Sequence, residues 1–253
     1  MTAEQRKQKI SDLLKENDTV KVSELSSLFG VSEVTVRAYL EDMEKKGLLS
    51  RVHGGAVSSY KPYYSMSLNQ RLETNQKEKV DIAERIASFI ESGDTVMLNA
   101  GTTTLLAFRK FPVDYDLNIV TNSISIALEA SGNPHYNVIL AGGSVNTKYQ
   151  FTYGNDASST IKKYHANKLI LSVDGIDTVH GFTTYYNKEC DVDASMIANS
   201  DMCIVAADSS KLSKCAFAKI GDLNIANCIV TNKTISNELK EQCEQAGVKI
   251  ITV

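Results

Sequence analysis

The feature that most constrains the fold is a regular alternation of helical and β-prone apolar segments, which begins near Glu78 and continues to the end of the chain. Apolar runs rich in Val, Ile and Leu, separated by segments with helical periodicity, predict a parallel sheet with helices on both faces. The predicted strands span residues 95–98, 117–120, 137–141, 168–173, 202–207, 225–230 and 248–253. The predicted helices span residues 80–90, 123–130, 155–164, 187–198 and 236–245, and a further helix follows the first strand.

The first 57 residues have a different pattern. A helix over residues 4–15 and a short β-prone segment precede two helices separated by Gly30. We expect Ser23 and Ser32 to be the N-caps of these two helices. A basic hairpin over residues 48–57 follows, with Gly54-Gly55 near its bend. Two helices joined by a tight turn and followed by such a wing are typical of a DNA-binding module.

The second of the two helices has one apolar face and one face suited to DNA. Val36, Leu40 and Met43 share a face and form the predicted buried stripe. On the other face an arginine pairs with guanine or phosphate, a threonine suits a phosphate, and a valine methyl contacts thymine. The predicted DNA contacts are Ser32, Val34, Thr35 and Arg37 on the helix and Arg51, His53 and Gly54 in the wing.

Bulk charge does not decide what this module binds. The net charge is −3, and residues 1–57 contain nine Lys or Arg and nine Asp or Glu. A DNA interface therefore depends on where individual side chains point. A helix pair that binds another protein remains an alternative for this segment.

Polar or glycine-bearing segments follow five of the predicted strands. Strand carboxyl ends line the ligand crevice of an open α/β sheet, and the N–H groups of a Gly-Thr-Thr-Thr helix start suit a phosphate. A lysine adds a point charge and an aspartate accepts sugar hydroxyls. The predicted ligand contacts are Asn99, Gly101, Thr102, Thr103, Thr104, Asn122, Ser123, Gly142, Gly143, Asp174, Gly175 and Lys211.

The remaining reactive residues indicate no metal site and no cofactor. None of the five cysteines has the spacing of a zinc or redox pair, and the histidines lack triad or metal-ligand spacing. No apolar run is long enough to span a bilayer, and the first ten residues do not form a secretory signal. We therefore expect reduced cysteines and a cytoplasmic location, with no membrane partner.

Residues 32–57 read SEVTVRAYLEDMEKKGLLSRVHGGAV and resemble the signature of DeoR-type bacterial transcriptional repressors. The shared pattern is a recognition helix that starts at Ser or Thr, an apolar pair, a glycine and an Arg-His-Gly-Gly-Ala wing. The family often has two adjacent basic residues followed by Asp, where this chain has Arg37-Ala38-Tyr39. Its base preference is therefore not carried over to this chain.

The strand-end motifs resemble the C-terminal sensor domain of the same family, so the resemblance covers nearly the whole chain. That domain is similar to ribose-5-phosphate isomerase and coenzyme A transferases. The resemblance implies a phosphorylated sugar, or a related metabolite, as the ligand. One departure is that the family commonly has an Asp in the region of Asn99-Ala100.

These observations predict an α/β protein with an N-terminal winged helix-turn-helix over residues 1–57, a linker over 58–76 and a Rossmann-like sensor domain over 77–253. We expect a repressor of carbohydrate metabolism that binds double-stranded operator DNA as a homo-oligomer, a dimer or a tetramer. The alternative is a sugar-phosphate isomerase with an appended DNA module, in which Asp174, Asp177 and Glu189 would transfer protons. The glycine-rich run of such isomerases is absent here, so no catalytic residue is assigned.

Overall fold

The computed structural model of the chain describes residues 1–17, 19–45, 48–52, 54–58, 66–232 and 235–253. The chain divides into two compact units, Met1–Met66 and Ser67–Val253. None of the described helices is long and apolar enough to cross a membrane.

The first unit is a winged helix-turn-helix. Its elements are α1 (Ala3–Asn17), β1 (Thr19–Lys21), α2 (Val22–Phe29), α3 (Glu33–Lys45), β2 (Leu49–Val52) and β3 (Gly55–Ser58). The three strands form an antiparallel sheet with β3 in the centre. The predicted stripe of α3 is confirmed, since Val36, Leu40 and Met43 are buried in the core of this unit.

The turn between α2 and α3 follows from two residues. Gly30 has a φ of 62°, the left-handed conformation that glycine adopts without strain, and its N–H donates to Ser26 O. Ser32 Oγ accepts from the N–H of Thr35 at 3.2 Å, which confirms it as the N-cap of α3. The expected cap at Ser23 is wrong, because β1 runs directly into α2 and Lys21 occupies the N-cap position without a side-chain hydrogen bond.

The second unit contains the predicted parallel sheet. Its strands are β4 (Thr95–Leu98), β5 (Leu117–Thr121), β6 (Tyr136–Leu140), β9 (Ala166–Ser172), β12 (Ser200–Ala206), β14 (Cys228–Thr231) and β15 (Lys249–Thr252). They lie in the order β15-β14-β12-β9-β4-β5-β6, and every ladder between them is parallel. The strand order therefore reverses between β4 and β9, which makes this the switch point where α/β sheets bind ligands.

Helices cover both faces of this sheet. They are α4 (Leu68–Glu73), α5 (Gln76–Ala87), α6 (Thr102–Phe108), α7 (Ile124–Ala130), α8 (Asn155–Ile161), α9 (Cys190–Ala198) and α10 (Asn237–Gln245). Successive residues of β4 join different apolar clusters, Val96 and Leu98 one of them and Met97 the other. Because side chains alternate along a strand, this division shows an apolar layer on each face.

Five short strands were not predicted from the sequence. They are β7 (Ser144–Asn146) and β8 (Phe151–Tyr153), which form a hairpin, and β10 (Gly175–Asp177), β11 (Gly181–Thr184) and β13 (Ala218–Gly221), which form an antiparallel sheet. Short 3-10 helices occupy Asn187–Glu189, Ser209–Lys211 and Leu223–Ile225, so the expected start of a strand at residue 225 is wrong. Strands of three or four residues carry too little periodicity to be identified from sequence.

Candidate functional site

The predicted DNA-contacting residues of α3 lie together at its N-terminal end. Ser32, Val34 and Arg37 are exposed and Thr35 is half-buried; Val34 leaves 72% of its surface open to solvent. Arg37 Nη2 pairs with Glu33 Oε2 at 2.6 Å, one helical turn away. An exposed pair of this kind contributes only about 0.3–0.5 kcal/mol, so the guanidinium can exchange Glu33 for a phosphate or a base edge at little cost.

The wing is tied to α3 through Arg51. Its backbone N–H and its Nε donate to the two carboxylate oxygens of Glu44, at 2.7 and 2.9 Å. These hydrogen bonds, first the one from the backbone, hold the pKa of Glu44 below its usual value. Gly54 is exposed at the bend with a φ of 79°, whereas His53 lies outside the described residues.

Gly55 is needed where the wing approaches β1. A Cβ at this position would lie 2.1 Å from Val20 O, so the two strands could not keep their present separation. The glycine pair of the wing therefore has two separate roles, a bend at the first position and a close backbone approach at the second.

At the switch point of the second unit, Asn99 joins the ends of β4 and β9. Its Nδ2 donates to Ser172 O at 3.0 Å and to Asp193 Oδ1 at 3.2 Å. Its Oδ1 accepts from Ser172 N at 2.8 Å and from Thr104 Oγ1 at 3.2 Å. These partners use all four hydrogen-bonding positions of the amide, so Asn99 holds neighbouring groups in place.

The segment from Gly101 to Thr104 begins α6. Gly101 has an extended backbone, and a Cβ there would lie 2.2 Å from Ser172 Cβ. The glycine is thus required by close packing and not by a tight turn. Thr104 is committed to Ser172 through both its N–H and its hydroxyl. The N–H groups of Thr102 and Thr103 lie in the first helical turn, where no intrahelical acceptor exists.

The ends of β5 and β6 carry the next predicted residues. Asn122 is buried; its Nδ2 donates to Thr152 O at 3.1 Å, while its Oδ1 has no partner among the described residues. Ser123 caps α7 by accepting from Ile126 N. Gly142 and Gly143 are exposed, and a Cβ at Gly143, which has a φ of 119°, would lie 2.6 Å from Tyr153 O.

Asp174, after β9, is where opposite charges converge. Its Oδ2 accepts from Tyr185 N at 3.0 Å and from Thr184 Oγ1 at 3.3 Å. Its Oδ1 lies 3.7 Å from Arg71 Nη1 and 3.9 Å from Lys211 Nζ. The structure thus brings Asp174 and Lys211, which are 37 positions apart in the sequence, to one point of the crevice. The adjacent Gly175 is buried.

Two further carboxyl groups surround Asp174. Thr184 Oγ1 contacts Glu189 Oε2 at 3.0 Å as well as Asp174. Burial, with Asp193 and Asp174 nearby, raises the pKa of Glu189 well above its usual value. Burial also raises the pKa of Asp193 to about 7, which Asp174 reinforces and the hydrogen bond from Asn99 opposes.

Sequence reasoning missed Arg71, Ser172 and Asp193 as members of this site. Arg71 lies in the segment predicted as a linker, and its guanidinium also stacks over the ring of Tyr149, 4.4 Å from the centroid. The four-residue spacing of Glu189 and Asp193 was the available signal, since it places both carboxyl groups on one helical face.

The groups required by the isomerase alternative are not all brought together. Asp177 Oδ1 accepts from the N–H groups of Val179 and His180 and contacts His180 Nδ1 at 2.8 Å. Burial would raise the pKa of Asp177, but these hydrogen bonds lower it overall. No described contact joins Asp177 to Asp174 or Glu189, and it serves the turn between β10 and β11.

Comparison with protein families and known proteins accounts for both units. Residues 6–61 match the DeoR-like helix-turn-helix domain and residues 74–233 match the DeoR C terminal sensor domain. The chain is 34% identical to the uncharacterized HTH-type transcriptional regulator YulB of Bacillus subtilis, over 100% of this chain and 98% of that protein. It is 32% identical to a putative aga operon transcriptional repressor of Escherichia coli O157:H7, over 98% of this chain and 93% of that protein.

A third relative is the HTH-type transcriptional repressor GlcR of Bacillus subtilis, 30% identical over 99% of this chain and 96% of that protein. Among solved structures, ribose 5-phosphate isomerase A from Methanocaldococcus jannaschii covers 55% of each chain at 14% identity and a TM-score of 0.41. The eIF2B beta subunit from Chaetomium thermophilum covers 64% of this chain and 52% of its own at 12% identity and a TM-score of 0.44.

Proposed function

Because this chain belongs to the DeoR family of HTH-type transcriptional regulators, we propose that it is a repressor of carbohydrate metabolism whose operator binding is controlled by a phosphorylated sugar. The ligand occupies the crevice at the carboxyl ends of β4, β9 and β12. The observation that carries this proposal is the convergence of Arg71 and Lys211 on the single carboxylate of Asp174 at the switch point.

The charges of the crevice suit a phosphate group. Both cation-to-carboxylate distances, 3.7 and 3.9 Å, are longer than a direct hydrogen bond. A phosphate dianion offers more charge and more acceptor oxygens than Asp174, so it competes well for a guanidinium and an ammonium. The N–H groups of Thr102 and Thr103 are additional donors in the same crevice, and Asp174 is left to accept ligand hydroxyls.

The DNA-reading role is assigned to the exposed face of α3, with the wing on the phosphate backbone. One recognition helix reads too few base pairs for specificity, so we propose a dimer or tetramer on a repeated half-site in the cytoplasm. The interaction neutralises phosphates and must weaken with salt, at a slope of about −0.9 for each phosphate contacted. An affinity independent of salt would favour a protein partner for this unit.

Replacing Arg37 by alanine tests the DNA interface. We expect operator affinity to fall by about 1–3 kcal/mol, or roughly 5- to 150-fold, because the variant removes the one arginine on the exposed face of α3. Fluorescence anisotropy with operator DNA measures the change. Lys9→Ala, which removes an exposed cation from α1, is the matched control and should leave affinity within twofold of the unmodified protein. Equal losses in both variants would show that only net charge matters.

A thermal-shift screen against phosphorylated sugars tests the sensor role. A ligand at about 100 times its Kd adds about 2.7 kcal/mol to stability, or roughly 5–10 °C for a unit of this size. The ligand so found should change operator affinity, and we expect it to release the DNA. Operator affinity that is the same with and without a bound ligand would contradict the proposed control.

A further inference from the structure

Two buried oxygen atoms near the switch point lack a donor. Asp193 Oδ2 and Asn122 Oδ1 make no hydrogen bond with any of the described residues, although both side chains are almost fully buried. A buried acceptor without a donor destabilises the folded state, because it has lost its hydrogen bond with water and gained none. Two such oxygens, one on α9 and one after β5, indicate that something else supplies donors here.

The carboxyl group of Asp193 is held in a fixed orientation. Asp193 is 1% exposed, and its Oδ1 receives the hydrogen bond from Asn99 Nδ2 at 3.2 Å. Asn99 is itself held by Ser172 and Thr104. The network therefore fixes one carboxyl oxygen through protein contacts and leaves the second as an acceptor of defined position.

The charges around Asp193 determine which kind of group can donate a hydrogen bond to its Oδ2. The charge of Asp174 raises the pKa of Asp193, and the charge of Asp193 raises the pKa of Glu189. An anionic group is therefore repelled from Asp193. A phosphate dianion has only acceptor oxygens and cannot serve either orphaned oxygen. An alcohol hydroxyl donates one hydrogen bond and carries no charge.

We propose that Asp193 is a specificity-determining residue of the ligand crevice, and that its Oδ2 accepts a hydrogen bond from a hydroxyl group of the bound ligand. The inference rests on the proposed function, since it concerns the same crevice. It divides the ligand between two ends, an anionic end at Arg71 and Lys211 and a hydroxyl-bearing end at Asp193. The crevice then selects polyhydroxylated phosphate esters over phosphate itself.

Asp193→Asn in the full chain tests this assignment. The amide keeps the size of the side chain and an oxygen for Asn99, but it replaces the unpartnered acceptor with a donor. Titration calorimetry would use two probes, inorganic phosphate and the tightest binder among aldopentose 5-phosphates and aldohexose 6-phosphates. We expect the sugar phosphate to bind at least about tenfold more weakly and inorganic phosphate to be unchanged. Asp201→Asn, at an exposed carboxylate that pairs with His165, is the matched control.

The other outcomes distinguish failure of the role of Asp193 from failure of the proposed function. Unchanged sugar-phosphate binding by Asp193→Asn, or an equal loss for both probes, would overturn the role of Asp193 while leaving sugar-phosphate sensing intact. If no sugar phosphate binds the unmodified protein, the proposed function itself fails and the inference fails with it. Removing the buried charge of Asp193 should leave the melting temperature at pH 8 the same or higher. A melting curve of Asp193→Asn therefore excludes misfolding.

Discussion

Replacing Gly101 by alanine should destabilise the second unit by about 3 kcal/mol. The new Cβ would lie 2.2 Å from Ser172 Cβ and 2.4 Å from its Oγ. Ser172 cannot turn away without loss, because its hydroxyl contacts Thr104 and its N–H donates to Asn99. Overpacking a rigid site of this kind costs about 1–3 kcal/mol or more, which lowers the melting temperature by roughly 6–12 °C for a unit of this size. Calorimetry of the full chain measures the shift.

Two further variants show whether the clash is the cause. Gly142→Ala is the control, since a Cβ at that position meets nothing within 4 Å, and its effect should stay within about 0.5 kcal/mol. Ser172→Gly removes both atoms that the alanine would strike. In that background, the alanine at position 101 should cost clearly less than it does alone, and a double-mutant cycle measures the difference. Additive effects would show that the two positions do not clash.

Replacing Lys79 by methionine should cost about 3–5 kcal/mol. Lys79 is 1% exposed, and its Nζ donates to Arg71 O on α4 at 2.5 Å. Its charge also helps Lys211 to hold the pKa of Asp208 low against the effect of burial. Methionine fills most of the volume, but it removes the ammonium that donates to the Arg71 carbonyl and one of the cations near the buried carboxylate of Asp208, which is the costly way to break a buried ionic network.

The matched control for this variant is Lys77→Met, because Lys77 is exposed on the same helix. Urea denaturation should show a lower midpoint for Lys79→Met and an unchanged midpoint for Lys77→Met. We also expect the Lys79→Met protein to bind its sugar phosphate more weakly. The variant loses the hydrogen bond to the carbonyl of Arg71, and Arg71 is the residue that presents a guanidinium to the crevice. A Lys79→Met protein as stable as the unmodified chain would mean that the buried ammonium is not needed to hold α4.

The regular elements could be predicted because each is encoded locally. The strand at residues 95–98 is an apolar run between Asp94 and Asn99, so its length is unambiguous. The start of α3 is set by one side chain, that of Ser32. The hairpin of β7 and β8 and the small antiparallel sheet are not encoded in this way, because their short strands depend on neighbours that fold against them.

The crevice was predicted only in outline. Sequence indicates which residues follow strands, but it does not state that β12 lies beside β9, and this neighbour relation brings Asp174 and Lys211 together. Arg71 could not be predicted, because a polar segment with weak periodicity gives no sign that it packs beside Asp174, which is 103 positions further along the chain.

The absent aspartate at position 99 has a structural counterpart. The resemblance to DeoR-type repressors implies a carboxylate in the region of Asn99, where this chain has an amide. The structure places the carboxylate of Asp193 at 3.2 Å from that amide. A carboxyl group is therefore present at this point of the crevice, on a different element of the fold. A comparison of strand-end motifs alone cannot detect such a relocation, since the two residues are far apart in the chain.

Helix α4 lies between the ligand crevice and the N-terminal unit along the chain. It is the first helix after the boundary at Met66, and it supplies Arg71 to the crevice. The shortest covalent route from the crevice to the operator-reading unit thus runs through this short helix and bypasses the sheet. An anion that draws Arg71 away from Asp174 would therefore act on the helix that is nearest in the chain to the operator-reading unit.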